Sequence, residues 1–254
     1  MGGSGLLVTL DGQSGVGKTT AARLLHEQLR AQGRRVLLTR TPSDSEVGSL
    51  ARAGTFTYRA WELALLVAAD RYHHERCVLR PAVADGAIVI CDRYLASSLV
   101  LDPLDGVASD VVWAIYRHLP VSDIAIILIG DPEVCARRAA TRGHYSRFHT
   151  PGPATNQRER AGFVAAAEAL RRAGHPVLTY DIGTDTAAAV ARQLGSYRCP
   201  ALESTNRRRP TACGAPTCKR TGTATGRSFT FITTTGTGGG PRSSGHRRSS
   251  RMTC

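Results

Sequence analysis

Lysine is almost missing from this 254-residue chain. Lys18 and Lys219 are the only two, although lysine and arginine together number 33. Long apolar runs are missing as well, and none approaches the roughly 20 residues that a bilayer-spanning helix needs, so no membrane span is expected. No charged leader followed by an apolar run opens the chain, so no secretory signal is expected either. Cys77, Cys91 and Cys135 lack metal-ligand spacing and lie on apolar stretches. They read as buried thiols of a soluble protein in the reducing cytosol. Acidic residues run out near the end of the chain. Arg198 to Cys254 carries 11 basic residues and 1 acidic one, a difference of +10, whereas Met1 to Tyr197 carries 22 and 19, a difference of +3. The net charge of +13 therefore does not mark the front of the chain as a nucleic-acid binder.

Residues 198–254 also lack periodic apolar content and are rich in Thr, Gly, Ser, Arg and Pro. Such a segment buries too little surface to offset its chain entropy, so it reads as a disordered basic tail behind a single domain, 1–197. Cys213 and Cys218 have no second pair with which to build a zinc site.

The front of the chain alternates short apolar runs with amphipathic stretches. Leu6 to Leu10, Arg35 to Arg40, Ala87 to Asp92, Asp123 to Gly130 and Pro176 to Asp181 have strand length and composition. Their nearly continuous hydrophobicity predicts a parallel sheet covered on both faces. Helical patterns begin at Lys18 and end at Gly33, run from Tyr58 to Pro81, occupy "SDVVWAIYRHL" and "PEVCARRAATRG", and run from Thr155 to Gly174. Within the second, the apolar "WELALLVAA" reads as helix core. Five strand–helix alternations predict a doubly wound α/β domain.

"GQSGVGKT", Gly12 to Thr19, fits G-x-x-x-x-G-K-[ST] and stands between the first strand and the first helix, the setting of a phosphate loop. The amides of Gly12, Gln13, Ser14, Gly15, Val16, Gly17, Lys18, Thr19 and Thr20 would close around a nucleoside triphosphate, helped by the helix N-terminus. Lys18 would reach the β- and γ-phosphates and Thr19 would bind Mg²⁺. With lysine this scarce, a chance match is improbable. "TRTP" (Thr39 to Pro42) ends the second strand, "AADRYHH" lies inside the long helical stretch, and "CDRY" (Cys91 to Tyr94) ends the third strand. In an open parallel sheet the strand ends converge on one crevice, so Arg40, Arg71 and Arg93 point to a second, anionic ligand beside ATP.

In order and spacing, these segments resemble the thymidylate kinases, a family of P-loop nucleoside-monophosphate kinases, over about Leu6 to Leu194. The likeness rests on the phosphate loop, "TRTP" against the family's T-R-E-P-G, "AADR", "RPAVADGAIVICDRY", "RRAATRGHYSRF" and "TYDIGTD". It implies a five-stranded P-loop fold and Mg²⁺-dependent transfer of the ATP γ-phosphoryl group to a deoxynucleoside monophosphate, dTMP above all. It further implies that Asp92 serves the metal and phosphate end and that Arg93 holds the acceptor phosphate. Arg71 and Ser97 would face the base, and Arg40 would lie on the acceptor side. Gly15 occupies a slot where one subgroup carries an arginine. The other subgroup supplies that cation from a basic lid, and Arg142 and Arg147, just beyond the helix bearing Arg137 and Arg138, suit the part. Family members are often homodimers.

The chain also departs from the pattern. Thr41 replaces the glutamate of T-R-E-P-G, and Val67 stands where a phenylalanine stacks on thymine. Leu101, Asp102 and Pro103 replace an aromatic-Q-G element that reads the sugar. Asp102 and Asp105 therefore either contact the acceptor or cap turns, and Asp-Pro and Asp-Gly are turn dipeptides. Asp92-Arg93 could also be a plain ion pair, and Arg71 could neutralise Asp70 or Glu75 along its helix. A nucleoside kinase, and a nucleotide-dependent binding protein whose basic tail touches nucleic acid, remain alternatives.

Overall fold

The computed structural model describes residues 5–141, 148, 152–183 and 185–196. The chain divides by contact density into Met1–Arg208 and Arg209–Cys254, and every described residue belongs to the first unit. Five parallel strands form one sheet: β1 (Leu6–Gly12), β2 (Val36–Arg40), β3 (Ile88–Asp92), β4 (Ile124–Ile129) and β5 (Val177–Asp181), in the order β2-β3-β1-β4-β5. All five expected strands are present, and their connection is the doubly wound one.

Each strand shares its alternate side chains between two cores. Leu7, Val89, Cys91, Ile127 and Ile129 face one side, under Phe163 and Leu170 of α8 (Pro153–Arg172) and Val100 of α5 (Leu95–Leu104). Val8, Leu10, Ile88, Ile90, Ile126 and Leu128 face the other, under Ala21, Ala22 and Leu25 of α1 (Lys18–Ala31). Burial on both faces is why these strands read as unbroken apolar runs.

The long helical stretch starts later than its pattern suggests, at Trp61 after Ala60, whose φ is positive (44°). It continues as α3 (Trp61–His74), a π-helical turn (Glu75–Leu79) and α4 (Arg80–Ala84). Leu63, Ala64 and Ala68 of "WELALLVAA" are core, but Trp61 and Leu65, four residues apart, face solvent. The π turn also corrects one reading, because Cys77 upon it is exposed, whereas Cys91 and Cys135 are buried and free. Two short helices lie outside the expected helical patterns: α2 (Glu46–Ala53), which Ser45 caps by accepting from the Gly48 amide, and α5. The remaining helices are α6 (Ser109–Tyr116), α7 (Pro132–Ala140) and α9 (Ala187–Ser196). No helix among the described residues is long and apolar enough to cross a membrane.

Candidate active site

Register brings the carboxyl ends of four strands level, with Leu10 opposite Asp92, Arg40 opposite Asp92, and Gly12 opposite Leu128. The chain goes from β1 to opposite sides of the sheet here, and at such a reversal the strand ends leave a crevice. The phosphate loop fills it. Gly15 (φ 78°) and Gly17 (φ 94°) adopt left-handed conformations that a side chain disfavours. At Gly15 a Cβ would collide with the Cys135 carbonyl of α7, so the loop lies flush on that helix. Val16 turns its side chain into the core. The amides at the first turn of α1 have no intrahelical acceptor and remain for an anion.

The Lys18 ammonium donates to the carbonyls of Gly12 and Gln13, both at 2.8 Å. It is buried, and burial together with the nearby Arg93 charge lowers its pKa to about 7, against the opposing pull of Asp92, Glu159 and Asp11. A phosphate group would favour the charged form again. Next to it, the Thr19 hydroxyl donates to Asp92 Oδ2 at 2.6 Å. Asp92 Oδ1 is buried and has no hydrogen-bond partner. Arg93 takes a left-handed conformation (φ 73°), uncommon for a residue with a side chain, while its amide donates to Leu10 at 2.8 Å. Such strain persists where the surroundings over-determine it, which is typical of functional sites.

Asp11 does much of that determining. It is 1% exposed and accepts from the amides of Tyr94 and Ser97 (both 3.0 Å) and from the Ser97 hydroxyl (2.6 Å). The N-terminus of α5 is thereby capped by a carboxylate from β1 rather than by its own Ncap side chain.

On the other side of Arg93, Thr41 links two of the crevice arginines. Its hydroxyl donates to the Arg93 carbonyl at 2.8 Å and accepts from Arg71 Nε at 3.2 Å. Arg71 also donates to Ser98 at 2.8 Å and lies 5.1 Å from the centre of the Tyr116 ring. Neither acid on its own helix holds it. Asp70 accepts from Ser43 and Ser45 in the loop after β2, and Glu75 is bound by Arg80 through two bonds. Buried Asp102 lies close enough to Arg71 for their charges to interact, and its Oδ2 has no partner. Asp105 accepts from the Ala60 amide at 2.5 Å, tying the end of α5 to the start of α3. Of the two aspartates, then, Asp105 makes a structural tie and Asp102 belongs to the arginine cluster.

Two acceptor-side residues are placed differently from expectation. The Ser97 hydroxyl serves Asp11, and Ser98 is the serine on Arg71. Arg40 faces solvent and pairs with Asp44 at 2.7 Å. Val67 and Leu101 are half-buried on α3 and α5. Arg142 and Arg147 lie outside the described residues. Arg137 is near Glu133 on the surface, whereas Arg138 joins Gly15, Gly17, Thr20, Ile182 and Asp185 in lining a cleft of about 250 Å³ beside the loop.

Residues 10–172 match the family model for thymidylate kinase. The chain belongs to the thymidylate kinase family. Among relatives, it is 40% identical over 154 residues to a probable thymidylate kinase of Pyrococcus abyssi, covering 57% of this chain and 74% of that one. It is 37% identical over 180 residues to the thymidylate kinase of Clavibacter sepedonicus (65% and 83%) and 38% identical over 179 residues to that of Ruegeria pomeroyi (66% and 83%). The family is one of nucleoside-monophosphate kinases with a P-loop fold, as the sheet and the phosphate loop agree. The magnesium it implies has a suitable donor set here. A hard cation that keeps water and phosphate oxygens needs few protein ligands, and the Thr19 hydroxyl and the partnerless oxygen of Asp92 lie together at the phosphate end.

Asp11, Ser98, Tyr116, Asn156 and Glu159 were not singled out from sequence. Asp11 alone left a trace, as a carboxylate inside the apolar run "LLVTLDG".

Proposed function

We propose that this protein transfers the γ-phosphoryl group of ATP to a deoxynucleoside monophosphate, dTMP foremost, releasing ADP and dTDP. The observation that carries the reading is the meeting of Lys18 and Thr19 with Asp92 and Arg93 across one strand edge, with Thr19 and Asp92 in contact at 2.6 Å. The amides of Gly12 to Thr20 wrap the donor phosphates, and Lys18 exchanges its two loop carbonyls for phosphate oxygens. Magnesium bound with ATP would be held through Thr19 and Asp92 and would neutralise charge on the β- and γ-phosphates.

Arg93, steadied from both sides, holds the acceptor phosphate in line with the donor. Arg71 and Ser98 bound the acceptor base, with Val67 and Leu101 as its apolar walls. Transfer between two anions needs little covalent help from the protein, so positioning and fixed positive charge supply the catalysis. Arg142 and Arg147 are proposed, on sequence alone, to bring further positive charge to the moving group. The exposed Phe56, Trp61 and Leu65 suit a second copy of the chain as partner, and the free cysteines suit a reducing cytoplasm.

An ADP-release assay with ATP, Mg²⁺ and a panel of nucleoside monophosphates and nucleosides tests the reading. Release is expected with dTMP before all others, and no release with any acceptor would end it. Lys18→Ala and Arg93→Ala should each lower turnover by roughly a hundredfold or more. An Arg93→Ala protein with unchanged kcat and acceptor KM would remove Arg93 from its assigned place.

A further inference from the structure

Glu159 is an acid that the proposed reaction leaves without a role. It is 3% exposed on α8, and both of its carboxylate oxygens go to one residue of the phosphate loop. Oε2 accepts from the Ser14 amide at 2.6 Å and Oε1 from the Ser14 hydroxyl at 3.1 Å. Asn156, 2% exposed and three residues earlier on the same face of α8, accepts at Oδ1 from the Gln13 side chain at 3.3 Å. Gln13 is fixed in turn to the Gly130 main chain, donating to its carbonyl at 3.2 Å and accepting from its amide at 3.1 Å. One face of α8 thus grips two consecutive loop residues immediately ahead of Gly15, where the backbone turns left-handed.

A loop bent through two glycines has little stiffness of its own, so the direction of its amides depends on what anchors its first residues. A buried carboxylate that accepts two hydrogen bonds is a strong anchor, because charge-assisted bonds are about twice as strong as neutral ones.

We infer that Glu159 is a positioning residue for the donor phosphates: by holding both the amide and the hydroxyl of Ser14, it sets how the amides from Gly15 to Thr19 face. The inference rests on the phosphate loop binding ATP in the proposed reaction. A contact that only stabilised the fold would lower activity toward both substrates together, whereas one that aims the loop acts on the donor side alone.

Glu159→Gln keeps the shape and removes the charge. The experiment measures MgATP affinity by calorimetry, kcat, and KM for ATP and for the acceptor. In Glu159→Gln, kcat/KM for ATP should fall roughly tenfold or more, with MgATP affinity lowered alongside it. The acceptor KM should be little changed. Ser14→Ala, which removes only the hydroxyl arm, should lose less. Combined with Glu159→Gln it should add little, because both act on one contact. Wild-type kcat/KM for ATP and wild-type MgATP affinity in Glu159→Gln would overturn the inference. So would a loss of activity that follows a fall in melting temperature and raises the acceptor KM as much as that for ATP. If the wild-type protein phosphorylates no acceptor, the kinase reading fails by itself, and MgATP affinity in the two variants decides the role of Glu159.

Discussion

Burial and a neighbouring guanidinium act on Asp102 in opposite directions. Desolvation is the larger influence and raises its pKa from 3.8 to about 6, although Arg71 and Ser98 pull the other way. The folded protein therefore holds this proton more tightly than the unfolded chain does. Its contribution to stability is complete below about pH 4 and is lost as pH rises through about 6. A shift of this size corresponds to about 2–3 kcal/mol at most. Asp102→Asn should accordingly raise the melting temperature near neutral pH, with the gain shrinking as pH falls toward 4. Thermal unfolding across that range checks this: a gain independent of pH would show that the Asp102 charge is not its source, and a loss at neutral pH would show that the Arg71 pairing dominates instead. Thr41 makes a related point. The hydroxyl that replaces a family glutamate bridges Arg71 to the Arg93 carbonyl. A carboxylate is gone from the crevice, but the link between its two arginines is kept.

Among the elements, the seam between α7 and the phosphate loop has the least room. Gly15→Ala would place a Cβ against the Cys135 carbonyl at a backbone angle that already disfavours side chains. Relief requires α7 to move, at a cost of roughly 1–3 kcal/mol. Weaker MgATP binding by calorimetry and a lower melting temperature are expected together, and normal MgATP affinity would show that the seam yields freely. The same closeness bears on the subgroup that carries an arginine in this slot, since here no side chain fits without displacing a helix. The strands were legible because their apolar runs are local. The phosphate loop was legible because its spacing is. Helix α5 was not, since Asp102-Pro103 and Asp105-Gly106 look like turns, and its N-terminus is capped by Asp11, 83 residues earlier than Tyr94. Without that helix, its phase is unknown. Ser97 and Ser98, one residue and therefore about 100° apart on a helix, cannot be told apart as to which meets Arg71. Glu159 was invisible for a similar reason, because its partner Ser14 is 145 residues away and the motif says nothing of what grips it from outside.

For the whole molecule, charge is separated along the chain more sharply than structure alone conveys, with +3 up to Tyr197 and +10 after it. Every residue assigned a role here precedes Arg198. A chain ended after Tyr197 should therefore keep the full-length kcat and both KM values, measured in the same ADP-release assay. A large loss would mean that the basic segment takes part in turnover. The strand order has another consequence, which concerns synthesis. β1 lies at the centre of the sheet, yet both of its neighbours, β3 and β4, come later in the chain. Gln13 fixes the phosphate loop to Gly130, 117 residues further on. At roughly 5–20 residues per second on a ribosome, about 6–23 seconds pass before that partner exists. During that interval the nucleotide motif is complete as sequence but has no walls. Until β3 is made the nascent chain carries the apolar run of β1 with both edges open, and the edge that β4 covers stays open longer still, so this is when it depends most on protection from other chains.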